Sequence, residues 1–124
     1  MKFSPEMRLV IACCRWPRSA ERTEAIRAAA AKITDWGLLE AAAARHRVLP
    51  LVRDGLSCAG IELPTATEQR VRARAAERAM TALEMARESI RLQHALTAAG
   101  LPALVIKGSP LAVLAYGELG LKES

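Results

Sequence analysis

The residues best suited to chemistry lie together near the end of the sequence. Lys107, Gly108, Ser109 and Pro110 follow the apolar run Ala103-Leu104-Val105-Ile106 and precede Leu111 to Tyr116. Read in that order, they form a turn between a short strand and a helix. Backbone N–H groups at such a turn have no partner within the helix, and the helix dipole favours negative charge there. Glycine lets an anion approach without a Cβ in the way, serine adds a hydroxyl donor, and Lys107 adds positive charge. The chemistry implied is the holding of a phosphate. An ordinary strand-to-helix turn uses the same residue types and remains the competing reading.

Other reactive residues carry plainer readings. His46 falls near a predicted helix C-terminus, where an imidazole is favourable without any catalytic part. His94 falls on an apolar stripe and is expected to be a hydrogen-bonded histidine of the core or an interface. Trp16 and Trp36 are expected to anchor the core, because too few other aromatic residues accompany them for a base-stacking surface. Arg70, Arg72, Arg74 and Arg78 make a basic stretch that is expected to be a solvated face, with contact to nucleic acid as the alternative. The cysteines are Cys13, Cys14 and Cys58. Their odd number and the lack of a Cys-x-x-Cys spacing argue against a disulfide framework or a zinc site. Buried, reduced thiols in a cytoplasmic protein are expected.

The elements that position these residues are mainly helices. Ser4-Pro5-Glu6 reads as a helix start, with the helix running to about residue 15 and ending ahead of Pro17. Ser19 is placed to cap a second helix through residue 33. Thr34 is placed to cap a third over residues 35–46. A short fourth is expected at 50–57, followed by a loop over 59–64. Residues 65–99 form the longest helical stretch, free of glycine and proline. At 100° per residue, Ala76, Met80, Leu83, Ile90 and His94 share one side of it. Val71, Met85, Leu92 and Leu96 lie nearly opposite. A helix apolar on two sides is expected to have neighbours on two sides. The N-terminal helices are expected to be one neighbour and whatever follows Gly100 the other. Gly100 ends the helix, residues 103–106 read as a single buried strand, and residues 111–116 as another helix.

Composition agrees with a helical fold. The 124 residues are 52% hydrophobic but only 3% aromatic, and much of the apolar content is alanine, the strongest helix former. The formal net charge of +5 favours phosphate-bearing partners. No apolar run approaches the ~18 residues of a membrane span. Leu9 to Cys14 is too short for a secretory signal, and Glu6 and Arg8 precede it. No membrane association is expected.

Lys107-Gly108-Ser109-Pro110-Leu111-Ala112, with Tyr116 and then Gly120-Leu121-Lys122, resembles the uncharacterised nucleotidyltransferase family of the polymerase-β-like nucleotidyltransferase superfamily. Members of that family read leucine-lysine-glycine, then a helix with leucine-alanine and a tyrosine, then a basic residue shortly before an Asp-x-Asp strand. Upstream, Ala44-Arg45-His46-Arg47-Val48-Leu49-Pro50-Leu51 resembles the family's alanine–histidine–valine–proline–leucine segment. The resemblance implies a mainly α chain. Residues 1–100 would be a helical N-terminal domain, and residues 101–124 the first strand–turn–helix of a nucleotidyltransferase-like α/β core, truncated.

It also implies that Lys107, Gly108 and Ser109 grip the phosphates of a nucleoside triphosphate. In the complete family member, carboxylates on the next strands would hold Mg2+ for nucleotidyl transfer. The sequence departs from the family here. After Ser109 it contains no Asp, and its acids are Glu118 and Glu123. No catalytic or metal-binding residue is therefore assigned, and transfer by this chain alone is not expected. Self-association or a partner chain is expected to cover what a missing sheet would cover. A non-catalytic helical module that binds protein or nucleic acid is the alternative.

Overall fold

The computed structural model describes residues 2–103 and 109–117. Its described elements are α1 (Pro5–Cys13), α2 (Ala20–Ala30), α3 (Trp36–Arg45), α4 (Leu49–Cys58), α5 (Thr65–Ala98) and α6 (Ser109–Tyr116). The fold is mainly α, and no strand occurs among the described residues. Of the run expected as a strand, residues 104–106 lie outside the described residues, and Ala103 has no regular structure.

Local chemistry starts the first three helices. The Ser4 hydroxyl accepts from the Met7 N–H at 3.2 Å, and the Ser19 hydroxyl from the Arg22 N–H at 3.0 Å. The third cap corrects the sequence reading. Asp35, not Thr34, accepts from the Leu38 N–H, at 3.2 Å. Its carboxylate is the stronger acceptor and stands three residues before that donor, the spacing a cap needs.

The exits of α3, α4 and α5 share one device. The residue after the cap turns left-handed, and the next N–H reaches back to close the last turn. These bonds are Val48 N–H to Ala43 C=O at 3.0 Å, Ile61 N–H to Leu56 C=O at 3.0 Å and Leu101 N–H to Leu96 C=O at 2.9 Å. Gly60 (φ 70°) and Gly100 (φ 76°) fill two of the left-handed positions, and Arg47 (φ 58°) fills the third.

The core belongs to the first four helices. α1 packs on α2, α3 and α4. Leu9, Cys13, Ile26, Leu39, Ala43, Val52 and Leu56 are buried between them. Gly55 lets α4 come close to α1 and α2: a Cβ there would stand 2.8 Å from Cys13 Sγ and 3.0 Å from Ile26 Cδ1. Cys13 is buried as expected, but Cys14 and Cys58 are exposed, which corrects the reading of three buried thiols.

α5 joins this bundle only by its first turns. Thr67 and Val71 are its buried residues, and an Arg70–Glu40 ion pair at 3.0 Å ties it to α3. A helix of this length spans about 50 Å, so most of it runs past the core. Beyond Arg72, the shielded residues are the half-buried Ala75, Ala82, Ala86, Ser89 and Leu96. All lie on or beside the side that carries Val71. α6 packs on α5, and Gln93 donates to the Ala103 carbonyl where the chain turns back.

The expectation of neighbours on two sides is thus corrected. Bundle and returning chain shield one side, with Met85 and Leu92 left exposed at its edge. Met80, Leu83 and Ile90 opposite are 57–60% exposed. His94 is exposed with them and is no core histidine.

Candidate functional site

Ser109 is the first residue of α6, which places the predicted phosphate-binding position at a helix N-terminus. Pro110 has no N–H, so the donors offered there are those of its neighbours. Lys107 and Gly108 lie outside the described residues, as does the side chain of Ser109. The far end of this short helix meets the segment that follows α1. Tyr116 sets its ring edge-on to Trp16, centroids 5.4 Å apart, and Gly117 (φ 73°) closes the helix. Trp16 therefore does more than the core anchoring expected of it: it stands half-buried after α1 and touches the helix that carries Ser109.

Trp16 is held by charge as well as packing. The guanidinium of Arg18 lies 4.9 Å from its ring centre and that of Arg22 5.8 Å, within cation–π range. Both arginines grip Asp54 on α4, Arg18 at 2.7 Å and Arg22 at 3.1 Å. Arg22 is 1% exposed and also donates to the Cys13 carbonyl at 2.9 Å, while its Nε has no partner among the described residues. Burial alone would raise the Asp54 carboxyl. Hydrogen bonds and charge from Arg18, then from Arg22, outweigh it and hold the group below its usual range. Burial pushes the nearby Cys13 thiol up to about 12, against the opposing charge of Arg22. A thiol so placed stays protonated and is no nucleophile.

Other residues singled out in the sequence stand apart from this cluster. His46 caps α3 and is exposed, consistent with its helix-end reading. Trp36 packs partly buried against the core. The basic stretch divides: Arg70 pairs with Glu40 and Arg72 with Glu68, whereas Arg74 and Arg78 face a groove against α4. No group of three His, Cys, Asp or Glu side chains among the described residues could hold a metal ion.

The model of a family described as uncharacterised nucleotidyltransferase matches residues 32–124. The chain belongs to that family. No curated protein and no solved structure matches it. The match begins after α2, so Trp16, Arg18 and Arg22 lie outside the segment that defines this nucleotidyltransferase family, and Asp54 and Tyr116 lie within it.

The Arg18–Arg22–Asp54 cluster escaped the sequence reading. One signal pointed to it. Asp54 stands three residues after buried Leu51, an acid beside the edge of the buried arc of α4. Such an acid needs a cation. Which of the many arginines supplies it is a matter of helix packing.

Proposed function

We propose that the chain supplies the helical N-terminal region of a nucleotidyltransferase together with its phosphate-gripping turn, Lys107-Gly108-Ser109, which takes the phosphates of a nucleoside triphosphate. The observation that carries this is the family match through residue 124, with Ser109 at the head of α6. In this reading the Trp16–Tyr116 contact fixes the direction of α6 against the bundle, and so aims its N-terminus. The donor set does not suit Mg2+. No suitable group occurs among the described residues, and the acids after Ser109 are Glu118 and Glu123 alone. In this reading metal-dependent transfer would require the Asp-x-Asp strand of the family. The cytoplasm, where nucleoside triphosphates are abundant, is its proposed location. No helix among the described residues is long and apolar enough to cross a membrane.

Two measurements test this reading. Titration with a nucleoside triphosphate should show binding that Lys107→Ala and Ser109→Ala weaken; binding indifferent to both would refute the turn. Incubation with labelled triphosphates and mixed acceptors should give no product; label incorporated above background and lost with EDTA would refute the division of labour.

A second reading, a non-catalytic interaction module, is favoured by the open stripe of Met80, Leu83 and Ile90. Burying each large aliphatic side chain is worth roughly 1.5–3 kcal/mol, so this stripe drives association with a second copy or a partner. Sedimentation at several concentrations should show self-association. A monomer at every concentration would leave only a different chain as partner.

A further inference from the structure

We propose a second anion-binding site, separate from the turn at Gly108-Ser109, in the groove between α4 and α5, whose ligand is a small, nucleotide-sized molecule carrying at least one phosphate. The groove holds a concavity of about 380 Å³, within the range of small-molecule pockets. Ala44, Leu49 and Ala75 are among the residues that line it, and small side chains there leave room. Arg53 from α4 and Arg74 and Arg78 from α5 line it too, with Glu77 as the acid beside them.

The pairing of neighbouring arginines makes this arrangement specific. Arg70 and Arg72 spend their charge on Glu40 and Glu68. Arg53 and Arg74 make no ion pair among the described residues, although Glu77 borders the same concavity. Arg53 from α4 and Arg74 from α5 thus bring two guanidinium groups without an ion pair among the described residues to one hollow. A guanidinium presents a planar fork of N–H donors that matches the oxygens of a phosphate, and several converging on one hollow suit a multiply charged anion. The first turn of α4 opens beside them, and its N-cap Val48 supplies no side-chain acceptor, which adds favourable potential for negative charge. Among the described residues no aromatic ring lines the concavity, so they offer no stacking for successive bases of a single strand. Recognition rests on phosphate, and a compact ligand fits better than a polynucleotide.

The test is calorimetric titration of the 124-residue chain with inorganic pyrophosphate, with ATP, and with a twelve-nucleotide oligoadenylate. Pyrophosphate and ATP are expected to bind. Arg53→Gln and Arg74→Gln should each weaken pyrophosphate about tenfold, the scale of one hydrogen-bonded charge. Arg91→Gln, on the exposed far part of α5, should leave pyrophosphate binding unchanged. Glutamine keeps helix propensity and Arg74 is exposed, so Arg74→Gln decides the matter even if Arg53→Gln unfolds. Four results would overturn the site: no pyrophosphate binding, equal weakening by Arg91→Gln, loss only in Ser109→Ala, or binding of the oligonucleotide alone. Loss only in Ser109→Ala would leave the turn standing as the phosphate site.

Discussion

The bundle of α1–α4 and the far part of α5 use much the same residues, alanine, leucine and arginine, to opposite ends. In the bundle, helices of 9 to 11 residues bury Leu9, Ile26 and Leu39 almost completely. Arginine enters that interior only where Asp54 and a carbonyl receive it. Along α5 beyond Val71, leucines and methionines stand in the open, and Arg91 pairs with its neighbour Glu88 on the same exposed surface. Helix propensity alone can maintain the second arrangement, because a helix satisfies its own backbone. It cannot maintain the first, which depends on partners from elements distant in sequence. The bundle is where stability resides, and the open part of α5 is where association is available.

The largest test of that contrast is Asp54→Ala. Removing the carboxylate leaves the Arg22 guanidinium buried beside one carbonyl, and breaking such a pair costs roughly 3–5 kcal/mol. Urea unfolding followed by circular dichroism would measure it. A loss under about 1 kcal/mol would mean that the bundle does not depend on this ion pair. Leu9→Ala comes next. Leu9 is fully buried at the centre of α1, and truncation there should cost about 2–5 kcal/mol in the same assay.

The third test is pH. The folded-state pKa of Asp54 lies below its unfolded value of about 3.9, so its contribution is complete above that value and is lost as pH falls through the folded one. The stability gap between the wild type and Asp54→Asn should stay constant from neutral pH to about pH 5 and shrink below about pH 4. A gap that shrinks near pH 6 would assign it to some other group. The smallest effect sharpens the comparison most. Leu83→Ala removes as many carbon atoms as Leu9→Ala, yet it should change the stability of the monomer by no more than about 0.5 kcal/mol. A cost near 2 kcal/mol would show that Leu83 is covered in solution.

Much of the fold was legible because its signals are local. Ser4, Ser19 and Gly100 act within one turn of themselves, and the starts of α1 and α2 and the end of α5 follow from them. The helix after the turn was legible as well, although α6 begins at Ser109 and not at Leu111. The apolar stripes of α5 were legible as stripes, but not which of them would be covered. Helical periodicity reports the faces of one helix and says nothing of how far its neighbours extend. Here the four bundle helices are too short to run beside α5 past its first turns. Both shielding elements, the bundle and the returning chain, fall on the same side.

The sequence by itself determined the helices, the caps at Ser4 and Ser19, and the resemblance that the family match bears out. Each is written in residues a few positions apart, where backbone hydrogen bonding and side-chain capping act. Only the tertiary structure decided that Arg18 and Arg22 meet Asp54, that Trp16 meets Tyr116, and that Arg53 shares a hollow with Arg74 and Arg78. Those pairs lie between 21 and 100 positions apart in the chain. Many arginines are equivalent candidates on paper, and the packing angle of two helices selects among them.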